Sequence, residues 1–214
     1  MNHVDETIAT YDSIAKDYKV ISTPENRAWL EGSMRIFAHY MSGRKVLVPG
    51  CGEGKDSRHL RSLGFTITSF DLSEGMLRIA KEKDPEGVYL KHDLRQLGEF
   101  SQYDGVWACA CLYHLTKDEF RSCLKDIWNS LNPGGIFFCN LKIGEGEQYI
   151  EQPRKGYPGG EEAQEKLSGN RFYAFYELEE LELLFQGFEL LKKRKDILKE
   201  GKGAMEFWLR KPRV

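Results

Sequence analysis

No stretch of this 214-residue chain approaches the roughly 18–20 consecutive apolar residues a membrane helix needs, so no membrane span is expected. The opening Met1-Asn2-His3-Val4-Asp5-Glu6 has neither an apolar run nor a basic leader and does not read as a signal peptide. Charge of one sign is scarce too. The 31 Lys and Arg residues against 33 Asp and Glu leave a net charge of −2. Apart from Lys192-Lys193-Arg194-Lys195, which reads as the solvated edge of a strand or helix, the basic residues are scattered. The lack of a broad basic face argues against a nucleic-acid partner. Cysteines are few and odd in number: Cys51, Cys109, Cys111, Cys123 and Cys139, with no C-x-x-C pair. That argues against a disulfide framework or a metal knuckle and favours reduced, mostly buried thiols in a cytoplasmic protein. No internal repeat is visible.

What is present is an alternation. Residues 1–42 read as a helical cover, with Ile8, Tyr11, Ile14, Ala15 and Tyr18 at helical spacing and a restart at Thr23-Pro24-Glu25. Strand-like runs follow at Lys45–Val48, Phe65–Phe70, Val88–Leu90, Val106–Cys109 and Ile136–Leu141. Helices between them start near Ser57, Ser73 and Asp118, the last stopped by Asn132-Pro133-Gly134-Gly135. Five strand–helix alternations call for a parallel sheet covered on both faces. A helix over Glu177–Phe185 and two more strands, near Phe188–Leu191 and Ala204–Leu209, predict a closing antiparallel hairpin turned by Lys199–Gly203. The chain thus reads as one α/β domain over 1–214, with a Rossmann-like, seven-stranded, mostly parallel sheet. Residues 144–170, rich in Gly, Glu and Gln, break the rhythm; they read as a lid over a pocket or as an inert surface insertion.

The chemistry-bearing motif is Gly50-Cys51-Gly52-Glu53-Gly54, after the first strand. Glycines there permit positive φ and let the backbone approach a ligand. By itself such a turn fits a dinucleotide or is simply a turn. The dinucleotide fingerprint is G-x-G-x-x-G and receives a pyrophosphate at the helix start. Here the spacing is G-x-G-x-G, and Glu53 stands where an anion would arrive. An acid there disfavours phosphate but not a ligand bearing a sulfonium and an ammonium, which favours S-adenosylmethionine over a nicotinamide cofactor. Asp71, ending the second strand, is placed to accept ribose hydroxyls or to serve as a helix-start acid. Asp93, after the third strand, is placed for an adenine amino group or for a cap. Leu72 and Met76 read as adenine-flanking or as ordinary core.

In order, Val46–Gly54, Phe70-Asp71-Leu72-Ser73-Glu74-Gly75-Met76-Leu77, Asp104–Cys109 and Leu131–Gly135 resemble the successive motifs of class I S-adenosylmethionine-dependent methyltransferases. Tyr11–Tyr18 resembles the N-terminal helix that covers the cofactor in many of them. The run Asp104–Leu115, with Leu141–Gly144 and Gly169–Phe172, resembles the branch of the tellurite-resistance methyltransferases; the Val48–Gly52 turn is also similar to thiopurine and thiol methyltransferases. The resemblance implies S-adenosylmethionine as cofactor, S-adenosylhomocysteine as product, a small-molecule substrate and a monomer or homodimer. Gly50, Cys51, Gly52, Gly54, Asp71, Leu72, Met76, Asp93, Leu94, Ala108 and Tyr18 then fall at cofactor positions. His114 is the candidate base, with Tyr113 beside it, and Lys142 and Arg171 are candidate substrate-anion ligands.

One departure stands out. The common pattern has an acid in the first strand, two residues before the Gly turn, that helps hold the cofactor's methionine part; here that position is Val48. A non-catalytic cofactor-binding protein of the same fold is therefore the alternative reading. A nicotinamide-dependent reductase and a protein or RNA methyltransferase stand further back. Nucleobase amino-methylating enzymes usually carry Asn/Asp-Pro-Pro-aromatic after the fourth strand, where this chain has Ala108-Cys109-Ala110-Cys111, and the clustered acids of metal-dependent catechol enzymes are missing there too.

Overall fold

The computed structural model describes residues 2–21, 24–152, 168–196 and 203–213. Helix α1 (His3–Ile14) begins with a capping box: Asn2 accepts the Val4 and Asp5 amides, and the Asp5 carboxylate accepts the Asn2 amide. A 3₁₀ segment (Ala15–Ile21) follows, then α2 (Pro24–Tyr40), with proline at the first helical position where a missing N–H costs nothing. The alternating unit is β1 (Lys45–Pro49), α3 (Lys55–Ser62), β2 (Thr66–Asp71), α4 (Glu74–Lys83), β3 (Val88–Lys91), β4 (Tyr103–Ala108), α5 (Lys117–Ser130) and β5 (Leu131–Ile143). The chain closes with β6 (Glu147–Gln152), β7 (Gly169–Tyr176), α6 (Leu178–Leu184), β8 (Glu189–Asp196) and β9 (Ala204–Arg210).

Strands β3, β2, β1, β4 and β5 lie side by side, all parallel. β9 pairs antiparallel with β5, and β8 antiparallel with β9. These seven strands form the expected sheet with its antiparallel closing pair. The turn expected at Lys199–Gly203 lies, apart from Gly203, outside the described residues.

The segment 144–170 differs from the expected loop. Residues 153–167 lie outside the described residues, but its described ends are strand. β6 and β7 pair antiparallel from Glu147↔Ala174 to Gln152↔Gly169. β7 then joins β5 in parallel at Lys142↔Phe175 and Ile143↔Tyr176, past the last β4–β5 pair, Ala108↔Cys139. This brings the sheet to nine strands among the described residues and sets the added pair beyond the carboxyl end of β4. Polar composition hid the strands, because Gln148, Glu151 and Asn170 are poor strand formers held here by ladder pairing. A second difference lies at Asn132–Gly135, which belong to β5 rather than to a turn before it: Gly134 donates to the Lys211 carbonyl at 2.8 Å, and Lys211 donates back to Gly135 at 2.9 Å.

Period-2 alternation divides the core. Val106 and Ala108 of β4, with Phe137, Cys139 and Leu141 of β5, face the α5 and α6 side. Trp107, Ile136 and Phe138 face Phe37 of α2 and Leu60 of α3, with Trp107 and Phe138 stacked at 3.8 Å. Sheet and helices together fix the carboxyl ends of β1, β2 and β4, where ligands bind in folds of this kind.

Candidate active site

A cavity of about 360 Å³ opens at those strand ends. Its floor is the turn after β1. Gly50, Gly52 and Gly54 take φ of 61°, 53° and 73°, a region closed to most side chains. Each serves a different need. A Cβ on Gly50 would stand 2.3 Å from that of Cys111, and one on Gly54 2.7 Å from the Tyr89 hydroxyl, whereas one on Gly52 meets nothing within 4 Å. Gly52 therefore leaves its space to the cavity. Asp71 links turn to strand: Oδ2 accepts the Gly52 amide at 2.8 Å and Oδ1 the Ser73 amide at 2.9 Å. Burial raises the Asp71 carboxyl, working against those amides. Glu53, in the cavity wall, is met by the Lys83 ammonium, which tempers its charge.

Leu72, Met76, His92, Asp93 and Leu94 line the same end. Asp93 is held by Arg95, whose amide reaches Oδ1 at 2.8 Å and whose Nη2 reaches Oδ2 at 2.6 Å. Burial works to raise the Asp93 carboxyl, but those bonds outweigh it and the net shift is downward.

The roof is α1 with Tyr18: Val4, Thr7, Ile8, Tyr11 and Tyr18 face the cavity. Helix α1 is tied to β7, where Thr7 Oγ1 accepts the Phe172 amide at 3.0 Å and Thr10 donates to the Asn170 carbonyl at 2.7 Å. His114 stands beneath. Its Nδ1 lies 2.7 Å from the Phe172 carbonyl, which only accepts, so Nδ1 carries the proton. Nε2 is then left to accept from the Tyr11 hydroxyl at 2.9 Å. Burial, and then the charges of Arg171 and Lys142, depress the His114 pKa to about 3.

The expected residues divide. Gly50, Cys51, Gly52, Asp71, Leu72, Met76, Asp93, Leu94, Tyr18 and His114 line the cavity. Gly54 shapes it as the residue before α3, and Ala108 is buried below it. Tyr113, Lys142 and Arg171 are not in the wall. Arg171 lies 4.8 Å over the Tyr11 ring, Lys142 lies 5.4 Å over the Tyr113 ring, and Tyr113 stacks on Tyr173. They stand one layer behind Tyr11 and His114.

Sequence reasoning missed Arg27 and Leu30 of α2, Lys55 and Asp56 of α3, and Trp107, Cys109 and Ala110. Ala110 carried no signal. It adopts φ 58°, held there by Asn140, whose Oδ1 accepts its amide at 2.6 Å.

Comparison with known proteins agrees with this architecture. Residues 47–139 match a family described as "Methyltransferase domain". The chain is 33% identical over 119 residues to the putative methyltransferase YqeM of Bacillus subtilis, covering 53% of this chain and 46% of that protein. It is 26% identical over 135 residues to the probable S-adenosyl-L-methionine-dependent methyltransferase TehB of Haemophilus influenzae, covering 61% of this chain and 47% of that protein. The chain thus spans about half the length of the curated relatives it matches. The solved "DhpI-SAH complex structure" superposes with a TM-score of 0.73 at 20% identity, covering 99% of this chain and 98% of that one. The cavity fits the S-adenosylmethionine that the sequence motifs imply. Gly52 leaves room at the turn, Asp71 presents a fixed carboxylate for sugar hydroxyls, and Leu72, Met76 and Leu94 offer apolar walls for a base. Residues 47–139 are thus similar to a methyltransferase domain, and the chain shares the fold of that solved structure.

Proposed function

We propose that this chain transfers the methyl group of S-adenosylmethionine to a small molecule bearing an anionic nucleophile, by in-line attack. The observation that carries this reading is the Gly52–Asp71 pairing at the floor of the cavity. Asp71, with both oxygens oriented by backbone amides, holds the ribose; Leu72, Met76 and Leu94 flank the adenine, with Asp93 at its edge. The bound cofactor supplies a methyl already activated on sulfur, so the protein's work is chiefly placement and exclusion of water. The α1 roof, tied to β7, provides the exclusion.

His114 supports that nucleophile class. A histidine with a pKa of about 3 is too weak a base to take a proton from a hydroxyl or an ammonium. A carboxylate or thiolate needs no such help. Lys142 and Arg171, within electrostatic reach of His114, favour an anion at that side. His114 and Tyr113 then act by shaping and orienting rather than by proton removal. The test is calorimetric titration with S-adenosylhomocysteine, followed by a homocysteine-release assay on pools of carboxylic acids, thiols, alcohols and amines. Turnover in the acid or thiol pool is the expected result. Turnover confined to amines or alcohols overturns the substrate class. Binding without turnover in any pool marks a non-catalytic binder.

A further inference from the structure

The cavity runs across the sheet from the β3 and β2 ends, where Asp93 and Asp71 stand, to the β4 end beneath Trp107 and Cys109. At that second end the wall includes Asp56, from the first turn of α3. Trp107 Nε1, on a ring with no solvent exposure, donates to Asp56 Oδ2 at 2.8 Å, and the Cys109 thiol is a second donor. Both donors are neutral. Burial raises the Asp56 carboxyl, and the neighbouring charges of Lys55 and His59 only partly offset it. A carboxylate so placed is stabilised in its charged form by a cation arriving from the cavity.

Two cationic side chains of the wall, Lys55 and Arg27, lie at the same end, and both also line an adjoining cavity of about 250 Å³ between α2 and α3. Arg27 is paired with Glu31 at 3.0 Å, and Asp56 with Lys55 and Arg27 presents both signs of charge to a zwitterion. Val48, where the family pattern places an acid, is 2% exposed and apolar and offers no charge to an ammonium.

We propose that Asp56 receives the α-ammonium of the cofactor's amino-acid end, with Lys55 and Arg27 beside the α-carboxylate, so that α3 supplies the acid the first strand lacks. This rests on the cofactor reading above and adds to it the site of the methionine part. Asp56 is fixed by Trp107 before any ligand arrives, which lowers the ordering cost of binding.

The test uses two ligands on the full chain. S-adenosylhomocysteine carries the amino-acid end; 5′-methylthioadenosine keeps the adenosine and sulfur but lacks it. Calorimetry, or thermal shift at millimolar ligand, is run on wild type and on Asp56→Asn, an isosteric change that can still accept from Trp107. The expected result is a loss of about 10–100-fold in S-adenosylhomocysteine affinity, the range for a hydrogen bond between charged groups, with methylthioadenosine unaffected. Equal losses for both ligands, or no loss for either, overturn the proposal; methylthioadenosine binding also reports that the variant is folded. If wild type binds neither ligand, the cofactor reading itself fails.

Discussion

Asp12 of α1 reaches across to the start of α4, where its Oδ1 accepts both the Ser73 hydroxyl at 2.6 Å and the Gly75 amide at 2.8 Å. Ser73 is also the N-cap of α4 and donates its amide to Asp71. The roof and the Gly50–Gly54 turn are therefore one bonded unit, through Asp12, Ser73 and Asp71. Replacing Asp12 with alanine removes two charge-assisted bonds and leaves a helix start short of an acceptor. The expected cost is about 1–3 kcal/mol of stability, with weaker S-adenosylhomocysteine binding through a loosened roof. Thermal melts with and without ligand check both; an unchanged melting temperature would refute the coupling.

Asp71→Ala tests the ribose contact. The variant loses an acceptor that the Gly52 and Ser73 amides hold in place. Affinity for S-adenosylhomocysteine is expected to fall about 100-fold or more, the consequence of leaving sugar hydroxyls without a charged partner. Retained affinity in a variant with native circular dichroism argues for a different ligand pose.

The parallel sheet and the Gly50–Gly54 turn were legible in the sequence because both rest on local signals: apolar runs of strand length, Ser73 and Thr116 as caps, and glycines where φ is positive. Asp71 was legible because its place at the end of β2 follows from the chain's order. Asp56 was not. An acid in the first turn of a helix is ordinary for dipole reasons, and only the packing of Trp107 against α3 turns it into a cavity group. Tyr113, Lys142 and Arg171 stand one layer behind the cavity wall instead. Their positions after β4, at the end of β5 and on β7 suggested a pocket wall, but Tyr11 descends from α1 and stands in front of Arg171. The β6–β7 pair was illegible because polar residues become strand there only through long-range pairing with β5.

Two neighbouring glycines separate folding from binding. In Gly50→Ala the new methyl collides with Cys111 as well as forcing a left-handed backbone. A loss of roughly 2–4 kcal/mol is expected, combining strain and overpacking. In Gly52→Ala the methyl meets no protein atom, so only about 1 kcal/mol of backbone strain is expected, but the space lost is the ligand's. Urea unfolding and S-adenosylhomocysteine titration of both variants should place the larger stability loss on Gly50 and the larger affinity loss per unit of stability on Gly52. The reverse order would mean that the cofactor does not approach Gly52.

His114 makes stability depend on acidity in a predictable direction. Its folded pKa of about 3 lies below the ordinary histidine value of about 6.5, so between those values the unfolded chain holds a proton that the folded one does not. Its contribution is complete above pH 6.5 and is lost as pH falls toward 3, at up to about 1.4 kcal/mol per pH unit. Between pH 7.5 and 5 that amounts to about 2 kcal/mol of lost stability from this one side chain. His114→Gln keeps a donor for the Phe172 carbonyl and an acceptor for Tyr11 but has nothing to titrate. The variant is expected to be less stable than wild type at pH 7.5 through poorer packing, yet to lose about 2 kcal/mol less on going to pH 5. Urea unfolding at the two pH values measures this difference directly. Parallel losses in the two proteins would show that His114 titrates normally in the folded state, and would restore it as a candidate base.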